Sequence, residues 1–137
     1  MLNEAKELLA FFPELYGQFD EPSVEPDIIR SYDANSLMGI YLAASDLFGE
    51  LVESNNESRA KELLSFAKKK LQEDRPNWPS DLSTAIIIGF FESFGQCENL
   101  WKHLNTWFSK DEYDEFKDVF HYSLVEEERS YVESLYT

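Results

Sequence analysis

Apolar residues recur at three- and four-residue steps through residues 36–53: Leu37, Tyr41, Ala44, Phe48 and Leu51, with Met38, Leu42 and Val52 widening the stripe. A side chain turns about 100° per residue in a helix and about 180° in a strand, so this spacing fits a helix and not a strand. Asn56 then offers an N-cap for a second run, residues 57–73, whose apolar face is Ala60, Leu63, Leu64, Ala67 and Leu71. A striped helix has to bury its stripe against another element, and the rest of the chain supplies more helices rather than a sheet.

Asn3 stands as the N-cap of a first helix carrying Leu8, Leu9, Phe11 and Phe12, which Pro13 must kink or restart. Residues 20–33 hold two prolines and four acids ahead of Arg30, and read as an exposed acidic loop pinned by Ile28 and Ile29. Arg75 to Pro79 form a rigid connector. Ser80 caps a helix predicted to run through Phe94, about four turns, with Gly95 as its terminator. That helix is apolar nearly all round and belongs at the centre. A buried strand over Ile86, Ile87 and Ile88 is the rival, but no alternating partner strand is found elsewhere. A further helix covers Glu98 to Phe108. Ser109 with Glu112 and Ser123 with Glu126 have capping-box spacing and open two more, the first burying Tyr113, Phe116, Val119 and Phe120, the last burying Val125, Val132 and Leu135 or Tyr136. The expected fold is all-α: one helical domain over 1–137, an irregular bundle or short stack of six to seven helices.

Charge narrows the function. Twenty-seven acids against twelve bases give −15. Such a field repels phosphate backbones and anionic lipid, which argues against nucleic acid and membrane, and it attracts basic proteins. Half of the bases (Arg59, Lys61, Lys68, Lys69, Lys70 and Arg75) fall in one short stretch. The lysine triplet sits in the last turns of its helix, where cations complement the helix dipole. One cysteine, Cys97, forms no internal disulfide and fits a reducing, cytoplasmic setting. The N-terminus lacks the order of a signal peptide, and no apolar run reaches the ~20 residues of a membrane helix.

No residues assemble into a catalytic motif, and no cofactor or metal is called for. The glycines are isolated, so no phosphate loop is present. Cys97, His103 and His121 with Glu98 or Asp118 match no zinc spacing. Cys97 reads as a small buried apolar residue. Glu92 is the only acid between Asp81 and Glu98, and reads as a group on the solvated strip of its helix. Acids at helical spacing are a different matter. Asp111, Asp114, Glu115 and Asp118 share one face and repel one another, a cost that a basic partner relieves. Asp20, Glu21, Glu25 and Asp27 make a second acidic patch. Trp78, between prolines, is a candidate aromatic anchor, or else a lid over the core.

Two segments, "FFPELYGQF" (Phe11–Phe19) and "IIIGFFESFG" (Ile86–Gly95), are similar to stretches in a family of small, all-helical, uncharacterised bacterial proteins that includes candidate toxin-immunity proteins. The resemblance implies a helical domain with a toxin-neutralising role and supplies no catalytic residues. Together with the charge, it gives the expectation of a non-catalytic acidic binding protein that neutralises a basic toxin domain of nuclease type. The alternative is a helical scaffold or regulatory adaptor that binds peptides or forms a homo-oligomer, with no toxin involved.

Overall fold

A computed structural model of the chain describes residues 1–19 and 32–137. Helix α1 (Asn3–Phe11) starts one residue before the expected boundary. Leu2 occupies the cap position without a side-chain bond, and Asn3 lies inside the helix. Phe12 leaves the helix, and Pro13, which has no N–H to give, opens a 3₁₀ segment, Pro13–Gln18. Ala5, Leu8, Phe12 and Leu15 are buried, whereas Phe11 and Tyr16 are exposed.

Both long stripes are helices. In α2 (Leu37–Glu53) the Ser36 hydroxyl accepts from the Gly39 N–H at 3.2 Å. In α3 (Glu57–Glu73) the Asn56 side chain accepts from the Arg59 N–H. All five residues expected on the inner face of α3 are buried. The buried face of α2 is broader than its stripe: Ile40, Ala43 and Leu47 are also inside, while Leu42 is exposed. The lysine triplet does more than meet a dipole. Lys68 Nζ donates to the Trp107 carbonyl at 2.5 Å, pairs with Glu112 at 3.1 Å and lies over the Phe108 ring; Lys70 pairs with Glu7.

Ser80 caps α4 (Asp81–Gly89) in a reciprocal pair with Ser83. The helix then departs from the expected four turns. Phe90, at φ −113° and ψ −58°, ends it, and Phe91–Gly95 tightens into 3₁₀. In a 3₁₀ turn residues i and i+3 eclipse, so Phe91 and Phe94 both point inward behind Phe90. At the break the Phe90 carbonyl accepts from both the N–H and the hydroxyl of Ser93. α4 is central but not enclosed, because Ile88 is exposed and Ile87 half-buried.

The stretch 98–108 is likewise two single-turn helices, α5 (Glu98–Trp101) and α6 (Leu104–Trp107), interrupted at Lys102 and His103. Helix α7 (Lys110–His121) carries the predicted Ser109–Glu112 capping box. The Ser123 cap does not form: α8 (Glu126–Ser134) starts after Val125, whose N–H donates to Glu128, so Leu124 is buried and Val125 exposed. Among the described residues no strand forms; Phe19 and Tyr32 share an isolated bridge. The result is an all-α bundle in which the described residues form six helices of nine residues or more, plus single turns and 3₁₀ segments.

α2 packs most extensively on α4, and α7 closes over the 3₁₀ segment that follows α4. An aromatic chain runs between them. Phe48 of α2 meets Phe94 at 5.0 Å and Trp107 at 4.9 Å; Phe108 meets Phe94 at 4.9 Å and Phe120 of α7 at 4.7 Å. Edge-to-face contacts of this kind add to the area buried and fix the angle between layers.

Candidate functional site

The expected acidic face of α7 is exposed, but half of it is already neutralised. Asp114 pairs with Lys110 at 3.2 Å, and Glu115 takes both guanidinium nitrogens of Arg75, at 2.8 and 3.1 Å. Asp111 and Asp118 have no ion-pair partner among the described residues. Asp20, Glu21, Glu25 and Asp27, with the loop they belong to, lie outside the described residues. Trp78 is half-buried. Its ring stands 6.3 Å from Phe116 beneath the Arg75 guanidinium, and its indole N–H is buried with no hydrogen-bond partner among the described residues.

This pairing extends over the molecule. Eight of the twelve basic residues (Arg59, Lys61, Lys68, Lys70, Arg75, Lys102, Lys110 and Lys117) are engaged by the chain's own carboxylates. Arg59 is the most heavily tied, to Glu14, Glu62 and the Phe11 carbonyl while lying over Phe12. Its hydrogen bond holds the Glu14 carboxyl below the usual range, and Glu14 in turn raises the guanidinium.

Four carboxylates with no ion-pair partner among the described residues converge elsewhere. Residues 31–58 and 76–101 contain no lysine or arginine. α2 comes from the first stretch, and α4 with its 3₁₀ extension from the second. Their packing forms a groove of about 700 Å³ with no cation among the described residues that line it. Asp46, Glu50 and Glu53 line it from α2 at helical spacing, and Glu92 lines it from the opposite wall. Asp46 accepts from the Tyr32 hydroxyl at 2.6 Å, and Glu50 accepts from the Gln18 amide. Met38, Leu42 and Ile88 add apolar surface, of which Leu42 and Ile88 are exposed. Glu92 is half-buried here and stands in the 3₁₀ segment rather than on a solvated strip of α4, which ends before it. Cys97 also lines the groove and is exposed, contrary to the expectation of a buried small residue. It takes the extended cap position at the N-terminal edge of α5, beyond the 3₁₀ segment that follows the break at Phe90.

Asp46, Glu50 and Glu53 were not singled out from sequence. The signal available was a helix with acids at four- and three-residue steps in a segment devoid of bases, but the counterpart in 76–101 is joined to it only by folding.

Gly49 lies within the same face of α2 and lines the groove. Nothing among the described residues lies within 4 Å of the position its Cβ would take. A glycine in a helix interior costs about 0.5–1 kcal/mol relative to alanine.

The one buried histidine lies away from the groove. His121 Nε2 is 2.7 Å from the Tyr113 hydroxyl, and Tyr113 stacks on Tyr136 at 4.3 Å. Burial holds the imidazole below its usual pKa and pushes the Tyr113 phenol up to about 12. His103 lies on the surface. Among the described residues no group of three His, Cys, Asp or Glu side chains is placed to hold a metal ion, and no helix is long and apolar enough to cross a membrane.

The family described as a domain of unknown function (DUF7674) matches residues 5–123. None of the curated proteins and none of the solved structures matches the chain.

Proposed function

This chain belongs to the DUF7674 family, and from the geometry of its groove we propose that it is a non-catalytic, cytoplasmic acidic binding protein that captures a basic protein, a bacterial toxin domain of nuclease type. The observation that carries this reading is the distribution of cations. Most bases are neutralised internally, whereas the groove between α2 and α4 has four carboxylates, exposed Leu42 and Ile88, and no base among the described residues. A nuclease domain presents lysine and arginine to phosphate. A surface of opposite sign steers that face into encounter, and apolar side chains beside the charges slow release. Asp111 and Asp118 on α7, with no ion-pair partner among the described residues, extend the field that does the steering.

The test pairs capture with rescue. Partners are retrieved from the native host at low and high salt, identified, and co-expressed with this protein in a toxicity assay. The expected result is a strongly basic protein, lost at high salt, whose toxicity this chain relieves and the Glu50→Lys/Glu53→Lys variant does not. A neutral partner retained at high salt, bound equally well by the variant, points instead to the peptide-binding adaptor and refutes this reading.

A further inference from the structure

Three glycines of the bundle are explained by internal contacts. A Cβ at Gly39 would meet the Asp33 backbone, at Gly89 the Met38 sulfur, and at Gly95 the Phe120 carbonyl. Gly17, in the short 3₁₀ segment, and Gly49 meet nothing among the described residues, and of the two only Gly49 lies inside an α-helix. It sits about one turn from the C-terminal end of α2 with a negative φ that any residue adopts, and no described residue occupies the place its side chain would take. No contact among the described residues requires a glycine there, and the helix forgoes the firmer backbone that alanine gives. Glycine in such a position allows another molecule to approach the backbone closely.

The surroundings say what kind of molecule. Glu50 is adjacent, Asp46 lies about one turn before Gly49 and Glu53 about one turn after it, and Glu92 lines the facing wall. A second copy of this chain would bring −15 against −15 and is disfavoured. We propose that a lysine- or arginine-bearing segment of a basic protein crosses α2 at Gly49. The aliphatic stem of the cationic side chain lies on the bare helix backbone, and its head reaches Glu50, Glu53 and Glu92. An apolar neighbour in the same segment rests on Leu42 and Ile88. The inference rests on the acidic-binding reading above and adds the point and mode of contact.

The test uses a fluorescent amphipathic lysine–leucine peptide as probe, with anisotropy at low salt, on the full chain. Gly49→Leu is expected to weaken binding about tenfold with the thermal midpoint at or above that of the parent. Glu50→Gln/Glu53→Gln is expected to weaken it comparably, and Asp111→Asn/Asp118→Asn to leave it within about twofold. Parental affinity in Gly49→Leu, with binding lost in the glutamine variant, overturns the Gly49 crossing and leaves the acidic groove standing. Parental affinity in both overturns the two together. Should Gly49→Leu fail to fold, Gly49→Ala decides: a higher midpoint with measurably weaker binding supports the crossing, and a higher midpoint with parental affinity refutes it.

Discussion

Alanine at Gly95 and alanine at Gly49 should shift stability in opposite directions. Both glycines have negative φ, so neither substitution strains the backbone, and the difference lies entirely in what the new methyl group meets. At Gly95 it runs into the carbonyl oxygen of Phe120. That carbonyl cannot swing away cheaply. The Phe120 ring is buried and packed 4.7 Å from Phe108, so relief requires α7 to lift off the 3₁₀ segment. Overpacking of this kind costs about 1–3 kcal/mol. At Gly49 the methyl group enters open space, and the loss of unfolded-chain freedom stabilises by about 0.4–1 kcal/mol. Unfolding entropy near 2.1 cal/mol/K per residue gives about 0.29 kcal/mol per degree for 137 residues. The expected midpoints are therefore about 3–10 °C lower for Gly95→Ala and about 1–3 °C higher for Gly49→Ala. Thermal melts followed by far-ultraviolet circular dichroism measure both. A neutral Gly95→Ala would mean that the 3₁₀ segment is not clamped under α7. A lowered midpoint in Gly49→Ala would mean that the space over Gly49 is used by the fold itself.

Arg59→Ala removes the fork to Glu14, the pair with Glu62, the bond to the Phe11 carbonyl and the stacking on Phe12, and should lower stability by about 1–2 kcal/mol in denaturant titration. His121 is held neutral by burial, so its folded pKa lies below its unfolded value near 6.5. Its contribution is complete above about pH 6.5 and declines as pH falls towards the depressed folded value. His121→Gln should flatten the stability profile in that window. Glu14 and Glu133, whose pKa values are lowered by Arg59 and Lys117 respectively, contribute above their ordinary range and lose their effect only in stronger acid. Cys97 should react with a thiol reagent in the native state at a rate indifferent to mild denaturant. Protection released only on unfolding would place it back in the core.

Sequence alone determined the class, the long helices and several of their starts. Stripe spacing and caps act over three or four residues, so the inner face of α3 and the caps at Asn56, Ser80 and Ser109 were all readable in linear order. Glu92 was also legible as the lone acid of an apolar segment. Other features depend on which distant groups meet. The helix after Ser80 breaks at Phe90 because three phenylalanines must reach the same aromatic core, a demand set by Phe48, Trp107 and Phe108 rather than by local propensity. Cys97 faces outward because that break redirects the chain. Glu115 is neutralised by Arg75, forty residues earlier, and Lys68 is bound to Glu112, forty-four residues later. No spacing rule reaches that far. The candidate site follows the same logic: the sequence specified two stretches without bases, and only the packing of α2 on α4 brought their carboxylates to one groove. Periodicity reports forces between neighbours along the chain, whereas charge compensation is decided through space.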